Sequence, residues 1–157
     1  MMRLPVSARV EVDVPASREA VWAVLSDVTR TGEWSHEVTE VSWVGESGAA
    51  VGHRFVGHNQ AGSSRWSRVC TIDAAEPGRA FGYTTWGGFP KDSTRWRFEL
   101  TPTADGTRIT QTFEILKLAR VWEMVIYLAV PAHRDRRGAL AEDLHRLGAV
   151  AAALPVS

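Results

Sequence analysis

Apolar and polar residues alternate from the start of the chain. Val6, Ala8, Val10, Val12 and Val14 stand between Ser7, Arg9, Glu11 and Asp13, a period of two that predicts a strand with one buried face. Pro15 ends it. Ser17 then precedes Glu19-Ala20-Val21-Trp22 as an N-cap, and a helix is expected to run to about Asp27 with Ala20, Val21, Val24 and Leu25 on its apolar side. A short second helix or turn over residues 31–35 carries Trp34. Six strand-like runs follow, over residues 38–44, 53–59, 65–73, 80–86, 94–100 and 107–116. Clusters of Gly, Pro, Asp, Glu and Ser separate them, as in Glu46-Ser47-Gly48, Glu76-Pro77-Gly78 and Ala104-Asp105-Gly106, and such clusters mark hairpins. From Ala119 the period becomes helical. Val121/Trp122, Val125, Leu128/Ala129, Leu140, Leu144 and Leu147 fall near one face, with a kink or break expected at Pro131 because proline has no N–H to donate.

The order is strand, two helices, six strands, long helix. Short links favour an antiparallel meander, and a sheet with one apolar face must cover it with the C-terminal helix. Residues between helix and sheet would line a pocket. The 157 residues are expected to make one domain, large enough to fold without a disulfide or a metal. Acidic and basic residues balance at 18 each, which argues against nucleic-acid binding, and all cations but Lys91 and Lys117 are arginine. The one dense group, Arg134, Arg136 and Arg137, reads as a solvated helix face. Cys70, alone in the chain, reads as a buried thiol. No signal-peptide core and no apolar run long enough to span a membrane is present, so the expected location is cytoplasmic. A homodimer is left open as a partner state.

Strand parity separates candidate pocket residues from the outer face. Trp96, Phe98 and Leu100 point inward together, as do Ile109, Gln111, Phe113 and Ile115. Trp66, Arg68, Cys70 and Ile72 share one parity; Phe55, Gly57 and Asn59 another; Phe81, Tyr83 and Thr85 a third. Asn59, Arg68, Gln111, Thr85 and the Tyr83 hydroxyl therefore interrupt an apolar face. Such groups either meet a ligand or satisfy one another, the backbone or water, since each costs about 1–3 kcal/mol if left unpaired. Of seven tryptophans, Trp66, Trp96 and Trp122 are the expected pocket walls, with Val125 beside them on the helix. Trp86-Gly87-Gly88-Phe89-Pro90 is either a gate or a loop tucked on the core. Among the five histidines none has metal-pair spacing, His58 points outward, and His133 can face the cavity from the helix. No nucleophile elbow, phosphate loop or dinucleotide fingerprint is present, and neither a metal nor a cofactor is expected.

The chain resembles the START-like helix-grip superfamily (SRPBCC), in its bacterial polyketide cyclase/dehydrase-like branch. The resemblance covers nearly the whole length. It is carried by Val14-Pro15-Ala16-Ser17-Arg18-Glu19-Ala20-Val21-Trp22, Trp34, Gly52-His53-Arg54-Phe55 with Gly57 and Asn59, and Trp66. Glu76-Pro77-Gly78-Arg79-Ala80-Phe81, Trp96-Arg97-Phe98-Glu99-Leu100-Thr101-Pro102 and Asp105-Gly106-Thr107-Arg108 complete it. It implies an α+β helix-grip fold, a seven-stranded curved antiparallel sheet wrapped around a long C-terminal helix. It does not choose an activity, because the superfamily uses one cup for cyclases, dehydratases, lipid carriers and hormone receptors.

Three functions are therefore carried forward. The favoured one is binding of a small hydrophobic molecule (lipid-like, aromatic or polyketide-like) against Phe55, Asn59, Trp66, Arg68, Tyr83, Trp96, Phe98, Gln111, Phe113, Trp122 and Val125. The second is a cyclase- or dehydratase-type enzyme, with Arg68 steadying an enolate and Tyr83 or His133 as proton donor. The third is a protein-interaction module, which would show a contiguous exposed apolar patch.

Overall fold

The computed structural model describes residues 2–88 and 91–155. Its strands are β1 (Ser7–Val14), β2 (Val38–Val44), β3 (Arg54–Ala61), β4 (Ser64–Glu76), β5 (Ala80–Trp86), β6 (Ser93–Pro102) and β7 (Thr107–Lys117). The helices are α1 (Arg18–Leu25), α2 (Arg120–Ala129) and α3 (Arg137–Ala152). All seven strands join one antiparallel sheet in the order β1-β7-β6-β5-β4-β3-β2. From β2 to β7 each strand pairs with its successor, and β1 closes against β7, so the meander expected from short links is the fold. Register shifts at Val38/Glu40, Ile72/Ala74 and Ser93/Thr94 insert bulges, which bend the strands and curve the sheet. This is the α+β helix-grip architecture.

One end of the concave face is filled. Ser17 Oγ accepts from Ala20 N at 3.1 Å and starts α1, whose Val21, Val24 and Leu25 are buried. The Leu140, Leu144 and Leu147 stripe of α3 is buried against β1 and α1, alongside Ile109, Val12 and Val14. Packing here leaves no room. A Cβ on Gly148 would run into the side chain of Val14, and one on Gly106 into the Val14 carbonyl. Thr107 Oγ1 ties the same corner by donating to Ala16 O at 2.7 Å. Trp34 lies edge-on to Phe98, with ring centroids 5.9 Å apart.

Two features expected from the sequence take a definite form, and two readings change. The second helix is a 3-10 turn over Val28–Glu33, begun by Asp27, whose Oδ1 accepts from Thr29 N at 3.3 Å; Trp34 caps its end. The break expected at Pro131 divides the C-terminal helix in two, because Pro131 starts a 3-10 turn, Pro131–Arg134, that redirects the chain. The continuous apolar stripe is lost with it. Leu140, Leu144 and Leu147 are buried, whereas Val121, Val125 and Leu128 are exposed. Arg136 is no solvated cation either: its guanidinium is turned inward by the same break and is largely buried.

Candidate functional site

The other end of the concave face is open and encloses a cavity of about 330 Å³. The register builds its floor. Tyr83, Trp96 and Phe113 stand side by side on β5, β6 and β7, and Phe81, Phe98 and Gln111 form the next row. Phe55 and Cys70 are paired on β3 and β4, Gly57 faces Arg68, and Asn59 faces Trp66. Gly57 leaves space, since a Cβ there would meet no atom within 4 Å. Trp122, Val125 and Ile126 of α2 form the roof. All eleven candidate residues, from Phe55 on β3 to Val125 on α2, contribute to this wall.

The rings lock one another. Phe55 and Tyr83 meet edge-on at 5.2 Å, Trp96 tilts over Phe113 at 5.1 Å, and Trp66 stands edge-on to the His133 ring at 5.4 Å. Such contacts fix the wall as a rigid aromatic surface. Cys70 serves as a small apolar filler. Burial pushes its thiol up to about 12, so it stays protonated, as its strand position suggested.

The polar groups divide into satisfied and unsatisfied ones. Arg68 is engaged: Nε and Nη2 donate to Asp92 Oδ2 at 3.3 and 3.1 Å, and Nη1 to Ser67 O at 2.8 Å. Thr85 Oγ1 accepts from Thr94 N at 3.3 Å, and Asn59 Nδ2 donates to Gly57 O at 3.3 Å. Gln111 Oε1 is buried with no hydrogen-bond partner among the described residues. The Tyr83 hydroxyl is enclosed, and burial holds its pKa well above the ordinary phenol value, so it is a neutral group facing the cavity.

A charged cluster that the sequence reading missed closes the cavity beneath the Pro131 turn. Glu37, buried at the entry to β2, receives His133 Nε2 at 2.5 Å and Arg136 Nη2 at 2.9 Å. Burial alone would raise its carboxyl, but the His133 hydrogen bond and the Arg136 guanidinium outweigh that and hold it below the usual range. Arg136 lies over the Trp96 and Phe113 rings, 5.0 and 5.4 Å from their centroids, and its Nε is buried without a partner among the described residues. Behind this pair, Asp143 of α3 accepts from His36 N at 3.0 Å and contacts His36 Nδ1 at 2.7 Å. That hydrogen bond, more than any other interaction, raises the His36 pKa. Glu37 and Asp143 sit more than a hundred positions apart and on no shared period, so pattern reading had no way to join them. The one available signal was a run of arginines just past a helix-breaking proline. His133 does face the cavity; His58 points outward, its Nδ1 2.7 Å from Ser67 Oγ. Among the described residues no group of His, Cys, Asp and Glu is arranged to hold a metal ion. Trp86 is exposed, while Phe89 and Pro90 of the suspected gate lie outside the described residues.

Solved structures share this architecture. A Thermus thermophilus protein is 17% identical, with a TM-score of 0.72 over 94% of this chain and 97% of its own. The Zhui aromatase/cyclase of Streptomyces sp. R1128 is 17% identical, with a TM-score of 0.71 and 93% of each chain covered. A Polyketide_cyc-like protein of Corynebacterium glutamicum is 25% identical, with a TM-score of 0.56 over 92% of this chain and 88% of its own. Among curated proteins none matches. The family model described as polyketide cyclase / dehydrase and lipid transport matches residues 5–151, and the chain belongs to that family.

Proposed function

We propose that the protein binds one small hydrophobic molecule carrying a single polar end. The observation behind this reading is an aromatic cavity whose lining residues carry four polar atoms without a hydrogen-bond partner among the described residues, the acceptors Gln111 Oε1 and Asp92 Oδ1 and the donors Arg136 Nε and Trp34 Nε1. Each unmet group costs about 1–3 kcal/mol, a penalty that a ligand hydroxyl or carbonyl would relieve. The apolar body would lie against Trp96, Phe113, Phe55 and Trp66 beneath Trp122 and Val125, and a cavity of about 330 Å³ falls in the range of small-molecule sites. Asn59, Arg68, Tyr83 and Phe98 complete the proposed ligand wall. The test is native mass spectrometry of freshly purified protein beside Gly57→Leu, whose Cβ would meet no atom within 4 Å. A stoichiometric adduct on the wild type that is absent from an equally stable Gly57→Leu supports the reading. Equal occupancy of both proteins rejects it.

A second reading, proton transfer of the cyclase or dehydratase kind, is favoured by His133, held by Glu37 at the cavity wall. Arg136, paired with Glu37 through Nη2 but with Nε unpartnered among the described residues, is then the cation beside that pair to meet an enolate, while Arg68 is held by Asp92. Deuterium exchange at the activated methylene of a β-keto thioester, followed by NMR and lost in His133→Gln, would support it. No exchange above buffer would reject it.

A further inference from the structure

Helix α2 is apolar on both faces, yet it is not buried. Its inward face, with Trp122 and Ile126, roofs the cavity. Val121, Met124 and Leu128, spaced i, i+3 and i+7, are exposed on the outer side. A helix that is apolar all round belongs inside a large core or a membrane. At 10 residues α2 is too short to cross a bilayer, and among the described residues no helix is long and apolar enough to do so. Lying in the plane of a lipid surface is one arrangement that covers such a face.

The charges around α2 fit that surface. Its sole acid, Glu123, is turned inward and buried, where it accepts from Leu4 N at 3.2 Å and pairs with Arg3 at 3.2 Å. Arg120 stands exposed at the first turn. The only two lysines of the chain, Lys91 and Lys117, border one shallow groove with Leu118, Ala119 and Trp122. Leu118 and Trp122 line the cavity as well, so the groove and the cavity share a wall. A protein with no net charge thus gathers all its lysines beside its most exposed apolar helix.

We infer that the outer face of α2 docks on an anionic lipid bilayer, with Lys91 and Lys117 on headgroups and Val121, Met124 and Leu128 among the acyl chains. The roof of the cavity then faces the membrane, the route by which an apolar cargo would enter; that last step alone rests on the cavity being a ligand site. A second copy of the chain is a poorer occupant. A ten-residue helix is about 15 Å long and about 10 Å wide, a footprint of about 150 Å² where a stable interface needs about 800 Å² from each partner.

The experiment is co-sedimentation of the whole protein with vesicles of equimolar phosphatidylcholine and phosphatidylglycerol. The protein should pellet at low salt, be released at high salt, and pellet poorly with phosphatidylcholine alone. The pair Lys91→Gln and Lys117→Gln should lower partitioning by about 30-fold, and Val121→Ser with Leu128→Ser by at least about tenfold, with unchanged far-UV spectra and unfolding. Wild type remaining in the supernatant at low salt overturns the inference, as does full pelleting of the serine variant. A dimer dissolved by the serine variant, without vesicle binding, gives the face to a second copy and also overturns it. The cavity is read separately by native mass spectrometry: protein that pellets but carries no adduct keeps the docking and loses the cargo, and the reverse pattern loses only the docking.

Discussion

Helices α3 and α2 come from one stretch of chain, lie over the same sheet, and have opposite surroundings. α3 presents Leu144 and Leu147 to β1 and α1 with no measurable exposure, and its Gly148 touches Val14 too closely for any side chain. α2 lines the cavity with Trp122 and Val125, and the contacts that hold it include Glu123 with Leu4 and Arg3, Tyr127 with Arg134, and Ala129 O with Ser64 Oγ at 3.4 Å. The filled end holds the fold and the hollow end is free to hold something else. Stability and binding should therefore respond to different residues, and that separation can be broken.

The largest effect is expected in the filled end. Leu144→Ala removes a fully buried side chain from a site that cannot collapse, and should cost about 3–5 kcal/mol in urea unfolding. Leu128→Ala, a similar deletion on the outer face of α2, should stay within about 0.5 kcal/mol. Equal losses would mean that α2 is part of the core after all. A smaller effect, about 2–4 kcal/mol, is expected from Glu37→Leu, which strands the buried Arg136 guanidinium. Glu37→Leu combined with Arg136→Leu should recover much of that loss; no recovery would place the role of Glu37 with His133 instead.

The boundary between the two ends is held by His36–Asp143 and Glu37, and it should show in the pH dependence. The folded-state pKa of His36 is raised, chiefly by Asp143, so its contribution is complete below the ordinary histidine value and fades as pH rises through the raised one. Glu37 is lowered, so its contribution is present above the ordinary carboxylate value and is lost as pH falls through the lowered one. Stability should therefore peak on the weakly acidic side of neutrality, and His36→Gln should flatten the alkaline limb only. An unaltered alkaline limb in that variant would rule out His36 as its source.

The same contrast explains what could be read from the sequence. Alternation names Trp96, Phe98, Gln111 and Phe113 as inward because parity is a local property of a strand, and the sheet obeys it across its bulges. Ser17 and Pro131 act within a single turn, and both were legible. The Glu37–His133–Arg136 cluster was not, because it depends on where the chain goes after Pro131. The direction taken by a broken helix is decided by packing at the far end, where Leu140 and Leu144 insert. The apolar outer face of α2 was hidden for a related reason: read as one helix with α3, its residues joined a stripe that the break divides.

The smallest effect is the sharpest test of the hollow end. Gln111 is buried between Phe98 and Val10 in the strand register, and its Oε1 has no partner among the described residues. In a packed core such a group is pure cost, so Gln111→Leu, close in size, should raise the stability of empty protein by about 1 kcal/mol. If Oε1 serves a ligand, the same substitution should weaken binding by about tenfold, since a hydrogen bond at a buried site is worth about that factor. The two effects have opposite signs and come from one atom. Thermal unfolding with and without extracted ligand reads both: the variant should melt above wild type when empty, and the ligand should raise its midpoint less. A variant less stable than wild type in both states would show that Gln111 supports the fold through its amide nitrogen, and the polar end of the ligand would then belong to the other unpartnered groups of the lining, Arg136 Nε among them.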